Sequence, residues 1–492
     1  MGLSQKTQNN DPIQNIVIIG ADIIAWCAAV GLARGLQGQQ VNISVVDIPL
    51  TNTSGQSVIH ATAHLFDYHR LLGIQDKHLL AKGHAKLCSA TQFIDFSEQH
   101  ADYFVGCEQT QASFRTVELH HILRWLDITN LQPYSLSALA AKLSLLALPT
   151  ANNDPITGGF SPQVNIDNSN YLTFMQGAAQ HLGVKHHKSH ITDVVYNPDN
   201  GFIRQLKLNN GDKLNPDLVL NNSGIENLFA DIHNQQNRVD CHSLLPFDSR
   251  MVVRVNKVAQ AKPYQQKIAS YSGVVELNYM PNYHEGVLHY SSTTSTEVQA
   301  KAQLCKVLGE PDYLHTSKVK FGYLDKPMQK NCLAIGETAG YLGSSPISPL
   351  IFCQRSISKL LDLFPGKACL SLNSQEINRR LNQDFEQALH FTLLMHAYTE
   401  EKVQFPWQLT LPQLPCNLQH RISLFSSSGR VSSELNPLIS RDTWLTFLRY
   451  KIRICQGYEP VLDALDKPQA MQFLQQLSQK IQQSLHHYRA YN

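Results

Sequence analysis

The order of apolar and polar positions near the start of the chain predicts a strand, a helix and a second strand in direct succession. Residues 16–20 form a short apolar run that ends in glycine, and residues 21–33 are rich in alanine and aliphatic side chains, as in a buried helix. A second apolar run, residues 41–46, ends in Asp47. This order is typical of a βαβ dinucleotide-binding unit, in which an acid at the end of the second strand binds a ribose hydroxyl.

The phosphate-binding fingerprint of such a unit, G-x-G-x-x-G, is only partly present, because its three positions hold Gly20, Asp22 and Ala25. The second glycine lets the main chain approach the pyrophosphate, whereas Asp22 places a negative charge there. Two like charges about 4 Å apart repel by roughly 1 kcal/mol in water and roughly 4 kcal/mol at an effective dielectric constant of 20. Asp22 has an alternative role as the N-cap of its own helix, which would leave the unit as a scaffold. Asp47 is likewise either a ribose ligand or a solvated acid.

The rest of the pattern predicts an α/β domain followed by a helical lobe. Further strands are predicted at residues 191–195, 203–208, 214–220, 251–255, 274–277, 286–290 and 332–336. Helices are predicted at residues 63–73, 119–147, 170–182, 351–364, 375–398, 442–455 and 468–489, with mixed helical signals over 75–103. A loop at residues 151–161 marks a lobe boundary. The expected fold class is α/β. An FAD/NAD(P)-binding Rossmann-like domain with a mixed β-sheet spans residues 14–365, interrupted by a helical segment at about 95–150, and a second, mainly helical lobe spans 366–492.

Size and composition exclude several classes of protein. The chain has 492 residues, more than one ordinary core, and its formal net charge is 41 − 39 = +2 with only 16% charged residues, so nucleic acid is not an expected partner. Its ten cysteines form no C-x-x-C motif, which indicates reduced thiols and a cytoplasmic protein. Residues 16–33 are the only stretch long enough to suggest a membrane span, but Gly20, Asp22 and the strand–turn–helix pattern argue against one.

Four segments in the right order resemble the flavin-dependent tryptophan halogenase family, a branch of the two-component flavin monooxygenases. The segments are residues 17–29 with Trp26, residues 218–228, residues 334–342 and residues 457–465. The resemblance extends over nearly the whole chain. It implies FAD as cofactor, a flavin reductase that supplies reduced FAD, and an aromatic small molecule or peptide as substrate. A homodimer is also considered. Carried over onto this sequence, the flavin contacts fall at Gly20, Asp22, Ala25, Asp47, His60, Ala61, Gly336 and Leu342.

The residues that perform halogenation in this family are missing or displaced here. The family's glutamate position falls near Pro346, and residues 338–361 contain no carboxylate. The family's lysine position falls on Cys88, or on Lys86 if the alignment shifts. The W-x-W-x-I-P segment should lie at residues 272–281, which contain no tryptophan. The flavin loop G-x-G-E-A-T reads Ser-Val-Ile-His-Ala-Thr at residues 57–62, so two glycines and the acid are gone.

Three other candidate sites have weaker support in the sequence. His186, His187 and His190 are expected on a strand edge as a solvated basic turn, and no metal site is predicted. His60 is a candidate acid/base, with a surface histidine as the favoured alternative. Cys88 is interpreted as a buried structural cysteine in preference to a reactive thiol.

Two hypotheses follow. In the first, the protein is a divergent flavin-dependent halogenase or monooxygenase that cannot perform the standard lysine/glutamate reaction, and any flavin it binds supports O2-dependent oxidation of an aromatic substrate. In the second, FAD binding is weak or lost, and the protein is a pseudoenzyme that acts as a binding or partner subunit.

Overall fold

The structure is a computed structural model. It describes residues 11–48, 55–96, 102–107, 112–148, 156, 159–224, 229, 232, 237–256, 261–397, 405–432, 437–452 and 457–488. Most of the loop predicted at residues 151–161 lies outside these residues. The division into domains at residue 365 stays a prediction.

Strands and helices alternate through the first two thirds of the described chain, and helices follow. The strands are β1 (Asn15–Ile19), β2 (Asn42–Asp47), β3 (Val58–Ala61), β4 (Ala85–Cys88), β5 (Ala90–Ile94), β6 (Asp102–Gly106), β7 (Ser113–Phe114), β8 (Val117–Glu118), β9 (Gln163–Asp167), β10 (Lys185–Tyr196), β11 (Ile203–Leu208), β12 (Lys213–Leu214), β13 (Leu218–Asn221), β14 (Arg238–Asp240), β15 (Ser249–Val255), β16 (Tyr264–Ala269), β17 (Gly273–Tyr279), β18 (His284–Tyr290), β19 (Tyr313–Lys318), β20 (Gly322–Leu324), β21 (Met328–Gln329), β22 (Cys332–Ala334) and β23 (Gly340–Tyr341). The helices are α1 (Ile23–Gly35), α2 (His64–Leu72), α3 (Lys77–Ala81), α4 (Leu119–Trp125), α5 (Leu136–Lys142), α6 (Asn168–His181), α7 (Glu297–Leu308), α8 (Gly336–Ala339), α9 (Pro349–Asp362), α10 (Ser371–His396), α11 (Cys416–Ser428), α12 (Arg441–Lys451) and α13 (Lys467–Leu485).

The largest sheet in the described chain confirms the α/β fold class and the βαβ unit at its start. Its strand order is β12-β11-β10-β2-β1-β13-β22-β21. Strand β1 is parallel to both β2 and β13, and β13 is parallel to β22, so the carboxyl ends of these strands meet at one edge. Helix α1 is buried almost throughout, and the bulky Trp26 is fully enclosed. Small side chains on the remainder of α1 permit this close packing on the sheet.

A second sheet takes up part of the region predicted to be helical. Its order is β19-β15-β18-β17-β16-β5-β6, and strands β3, β9 and β4 form a separate small sheet. Helix α3 confirms the helical signals over 75–103 in part, and the short helices α4 and α5 confirm the helix predicted at 119–147 in part. The prediction was wrong at β4, β5 and β6; β5 pairs with β16, more than 160 residues further along, and local periodicity does not report such a partner.

Two smaller predictions also fail. The strand predicted at residues 214–220 is divided into β12 and β13, with Pro216, which has no N–H to donate, between them. The histidine-rich strand β10 is not a sheet edge, because it pairs with β2 on one side and β11 on the other.

The remaining helices confirm the predicted helical character of the C-terminal part. Helices α10 and α12 bury Phe385 and Trp444 in the same apolar cluster that contains α1 and α9. Helix α13 packs instead against α5 in a smaller cluster. Within the described chain, none of the helices combines the length and apolar character needed to cross a membrane.

Candidate functional site

A cavity of about 910 Å³ opens at the carboxyl ends of β1 and β13. Ligands of open parallel sheets bind at such an edge, outside the strand ends. The walls come from the turn after β1, strand β3, the segment after β13, strands β15 and β17, and residues 337–350. Of the predicted site residues, Asp22 and His60 line this cavity. The other predicted site residues that the structure describes are not part of its lining.

Asp22 caps the helix that should receive a phosphate. Its Oδ1 atom accepts hydrogen bonds from the main-chain N–H groups of Ile24 at 3.1 Å and Ala25 at 3.2 Å. The side-chain amide of Asn222 donates a third bond to the same oxygen at 2.7 Å. Asp22 lines the cavity, but surrounding protein desolvates the carboxylate and raises its pKa, against the lowering effect of the Ala25 and Asn222 bonds. The capping role considered from the sequence is therefore the geometry that the structure contains.

Close backbone packing explains two of the predicted glycines. Gly20 has φ +149°, and a Cβ there would lie 3.0 Å from the Cβ of Ala25. Gly336 has φ +59°, and a Cβ there would lie 2.5 Å from Asn222 Oδ1 and 2.8 Å from Ile24 Cγ2. These glycines bring the ends of β1 and β22 against the start of α1, so the scaffold of the site is retained.

Asp47, the predicted ribose ligand, has a partner within the protein. Its Oδ1 lies 2.8 Å from His186 Nε2. The His186 ring also packs edge-on against Trp26, with 4.8 Å between ring centroids. The interpretation of His186 as part of a solvated turn was therefore wrong, because β10 is an interior strand that places this ring beside β2 and α1.

The segment predicted as the flavin loop forms strand β3, and β9 separates it from β4, the strand on which the lysine position is predicted. His60 and Lys86 both pair in register with Asn165 of β9, and Cys88 pairs with Gln163. Register partners share a face of the sheet, so His60, Lys86 and Cys88 lie on one face, with β9 between His60 and the other two. Ala61, one residue further along β3, is fully buried.

His60 is a bonded cavity residue rather than the surface histidine favoured from the sequence. Its Nδ1 lies 2.7 Å from Asn165 Oδ1, and its Nε2 lies 3.1 Å from Gln163 Oε1. Burial lowers the pKa of His60 to about 4, and the nearby Lys267 contributes in the same direction. The ring is therefore neutral at physiological pH. Cys88 is fully buried, and burial raises its pKa to about 12, which fits the structural interpretation.

The sequence interpretation missed a buried ion pair beside the loop that lacks the family's glutamate. Lys267 and Glu276 are register partners on β16 and β17, and Lys267 Nζ lies 3.0 Å from Glu276 Oε1. Nζ also donates to the main-chain oxygen of Ser344 at 2.6 Å, two residues before Pro346. Glu276 lines the cavity, whereas Pro346 and Leu342 do not. Glu276, a single charged residue within the largely apolar strand β17, was the available signal, since such a charge needs a partner.

A second missed acid, Glu285, lies beneath the start of β3. Its two carboxylate oxygens accept the main-chain N–H groups of Ser57 at 2.5 Å and Val58 at 3.1 Å. Burial raises the pKa of Glu285 to about 7, although these bonds oppose the change. Glu285 thus fixes the segment that leads to His60.

An arginine–glutamate pair completes the polar wall. Arg250 Nη1 lies 2.9 Å from Glu337 Oε1, and the guanidinium lies over the ring of Tyr341. Glu337 directly precedes the acid-free segment that begins at residue 338. His289 Nε2 lies 2.6 Å from the Tyr341 hydroxyl and is buried with it. Among the described residues, the cavity lining holds three carboxylates and four basic side chains, namely Asp22, Glu276 and Glu337 with Arg238, Arg250, Lys318 and Lys320.

Comparison with known proteins decides the family. A sequence model described as tryptophan halogenase matches residues 15–467. The chain belongs to the tryptophan halogenase family. It is 22% identical over 451 residues to tryptophan 7-halogenase RebH of Lentzea aerocolonigenes, covering 86% of this chain and 83% of that protein. It is 23% identical over 426 residues to tryptophan 6-halogenase ThaL of Streptomyces albogriseolus, covering 80% and 78%.

Solved structures agree on the fold. BrvH, a flavin-dependent halogenase from Brevundimonas sp. BAL3, superposes with a TM-score of 0.88 at 19% identity, covering 97% of this chain and 98% of that chain. Xcc4156, a flavin-dependent halogenase from Xanthomonas campestris, superposes with a TM-score of 0.87 at 22% identity, covering 98% and 97%. At these identities the likeness establishes a shared fold.

The family implies FAD, but the residues at the diphosphate end of this site do not fit it. The amides at the start of α1 already donate to Asp22, and that carboxylate faces the place of two phosphate charges. The acid for the ribose, Asp47, is bonded to His186. The scaffold glycines and the cavity are retained, so the mismatch is confined to the groups that would bind the anionic and ribose parts.

Proposed function

We propose that this protein is a pseudoenzyme of the tryptophan halogenase family. It retains the family's cavity as a binding site, does not perform lysine/glutamate halogenation, and serves as a binding or partner subunit. The observation that carries this proposal is the position of Asp22, whose carboxylate occupies the N–H groups of Ile24 and Ala25. A diphosphate would have to displace a bonded carboxylate and approach its charge, which costs roughly 1 to 4 kcal/mol for each charge pair at about 4 Å.

A second candidate function is flavin- and O2-dependent oxidation of an aromatic substrate. The Lys267–Glu276 pair favours it, because a lysine and a carboxylate remain next to the segment that lost its glutamate, and Glu276 faces the cavity. A cavity of about 910 Å³ also lies in the upper range for ligand pockets.

Flavin binding separates the two functions. The full chain is purified, its visible spectrum is recorded, and FAD and reduced FAD are titrated by calorimetry, with an active halogenase of the family as positive control. The pseudoenzyme proposal expects a colourless protein and no binding in the micromolar range. A dissociation constant at or below the micromolar range would overturn it. In that case the second candidate is tested with a flavin reductase, O2 and a panel of indoles, with products identified by mass spectrometry.

A further inference from the structure

A separate group of potential metal ligands lies outside the cavity, where β8 continues into α4. It consists of Glu118, His120 and His121, whose ligand atoms all lie within 4.8 Å of one another. Imidazole and carboxylate groups are the ligands that Zn²⁺ and neighbouring divalent transition metals take in proteins. Proximity alone does not make a site, and the hydrogen bonding of the two histidines supplies a second, independent observation.

One hydrogen bond orients the His120 ring. Its Nε2 lies 2.8 Å from the main-chain oxygen of Gly429, which can only accept, so Nε2 donates. The other nitrogen, Nδ1, faces Glu118 Oε2 at 3.6 Å, which is too long for a hydrogen bond. Nδ1 is thus a buried ring nitrogen that points at a carboxylate without bonding to it.

The distance between His120 and Glu118 and the burial of the two histidines agree with a metal ion. Two ligand atoms bound to a tetrahedral Zn²⁺ at about 2.0–2.1 Å lie about 3.4 Å apart, close to the 3.6 Å between His120 Nδ1 and Glu118 Oε2. His120 and His121 are only 4% and 5% exposed. Within the described part of the chain, Nδ1 of each histidine is buried without a hydrogen-bond partner. Both imidazoles thus keep an unused ligand atom.

Neighbouring groups support the ligands and leave one side open. Arg441 binds both oxygens of Glu118 at 2.7 and 2.8 Å, which orients the carboxylate while each oxygen keeps a second lone pair. Glu459 Oε2 lies 4.0 Å from His121 Nε2. A cavity of about 380 Å³ is lined by both histidines, so the site adjoins open space.

We propose that Glu118, His120 and His121 bind one divalent transition-metal ion of the Zn²⁺ type, with water as the fourth ligand. The ion bridges His120 Nδ1 and Glu118 Oε2. It lies where α4 meets the end of α11 at Gly429 and the start of α12 at Arg441. Its role is to hold the C-terminal helices against the hairpin β7–β8.

The test uses the full chain after treatment with a chelator. Zn²⁺ is titrated by calorimetry, and Co²⁺ is followed by the visible d–d bands of a four-coordinate site. We expect one equivalent to bind and to raise the melting temperature. His121→Ala and Glu118→Gln should each weaken binding at least about tenfold, since even outer-shell partners are worth that much. His242→Ala, at an exposed histidine in another loop, should change nothing.

Circular dichroism of each variant shows whether it is folded, and Glu118→Gln retains the shape of the side chain if His121→Ala does not fold. Failure of the wild-type chain to bind one equivalent of either metal would overturn the proposal. Equal affinities of the wild type and a folded site variant would also overturn it, because they would assign the metal to other histidines.

Discussion

Asn222 donates a hydrogen bond of 2.7 Å from its side-chain amide to Asp22, 200 residues earlier in the chain. The contact forms because β1 and β13 are parallel neighbours, so the turns after them lie side by side. It holds the carboxylate over the first amides of α1, where a phosphate would bind. Asp22 is therefore kept in place from both sides, by its own helix and by the strand next to it.

Removing the charge of Asp22 should raise the affinity for FAD. Asp22→Gly removes both the charge and the side chain, and we expect it to strengthen FAD binding at least about fivefold, the lower end of the Coulomb estimate for one charge pair. Asp22→Asn keeps a good N-cap and isolates the effect of charge. Calorimetric titration of both variants is compared with Asp199→Asn, an exposed acid in a turn. Unchanged affinity in both Asp22 variants would mean that other groups close the site.

The capping role of Asp22 could be considered from the sequence because it depends on residues two and three positions away. The βαβ unit was predictable for the same reason, since its strand, turn and helix signals are contiguous. Asn222 was not predictable as a partner, because only the parallel pairing of β1 with β13 brings it near.

Strands β4 and β5 show the limit of local patterns most clearly. Their partners are β9 and β16. The short runs of residues in β4 and β5 are compatible with either a strand or a helix until those partners are known. The same distance in sequence hid the pairing of both His60 and Lys86 with Asn165. Glu276 could have been suspected as a charge within an apolar strand, but its pairing with Lys267 required the register of β16 and β17.

Cys88, at which the sequence predicts the family's lysine position with Lys86 as the alternative, should resist alkylation. Burial raises its pKa to about 12, so only about one thiol in ten thousand is ionised at pH 8, and the side chain is fully buried. Cys416 is exposed and serves as the internal control. After brief treatment of the native protein with iodoacetamide, mass spectrometry should find Cys416 modified and Cys88 unmodified. Rapid modification of Cys88 would favour the reactive-thiol alternative.

Glu285 should make the protein less stable as the pH rises from about 4.5 to about 7. Burial raises its folded-state pKa to about 7, above the ordinary value of 4.5, so in this range the folded state retains a proton that the unfolded state has released. The free energy of unfolding therefore falls through this window, by on the order of 3 kcal/mol, and is level above it.

Glu285→Gln removes this titration, so the same slope should be absent in urea denaturation between about pH 5 and pH 8. The variant should also be less stable throughout, because an amide nitrogen cannot accept the N–H bond that a carboxylate oxygen accepts. Glu310→Gln, at an exposed acid, is the control and should keep the wild-type slope. Parallel pH profiles for the wild type and Glu285→Gln would show that other groups cause the dependence.

Because the Lys267–Glu276 pair is buried, the two residues should have a large coupling free energy. The side chains are 3% and 11% exposed, so Lys267→Met leaves an uncompensated charge on Glu276 and should lower the free energy of unfolding by about 3–5 kcal/mol. Changing both residues, Lys267→Met with Glu276→Leu, removes the isolated charge and should cost less than the sum of the single changes. Urea denaturation of the four proteins gives the coupling energy.

Lys207 and Asp193 provide a matched control, because they too are register partners on antiparallel strands, with Nζ to Oδ2 at 2.8 Å. Their side chains are 43% and 54% exposed, so water screens the pair, and the same cycle should give a coupling close to zero. The two cycles differ in burial while geometry is held nearly constant. Equal coupling energies would contradict the argument that desolvation makes Lys267 and Glu276 interdependent. The buried pair would then contribute no more to stability than the exposed pair does.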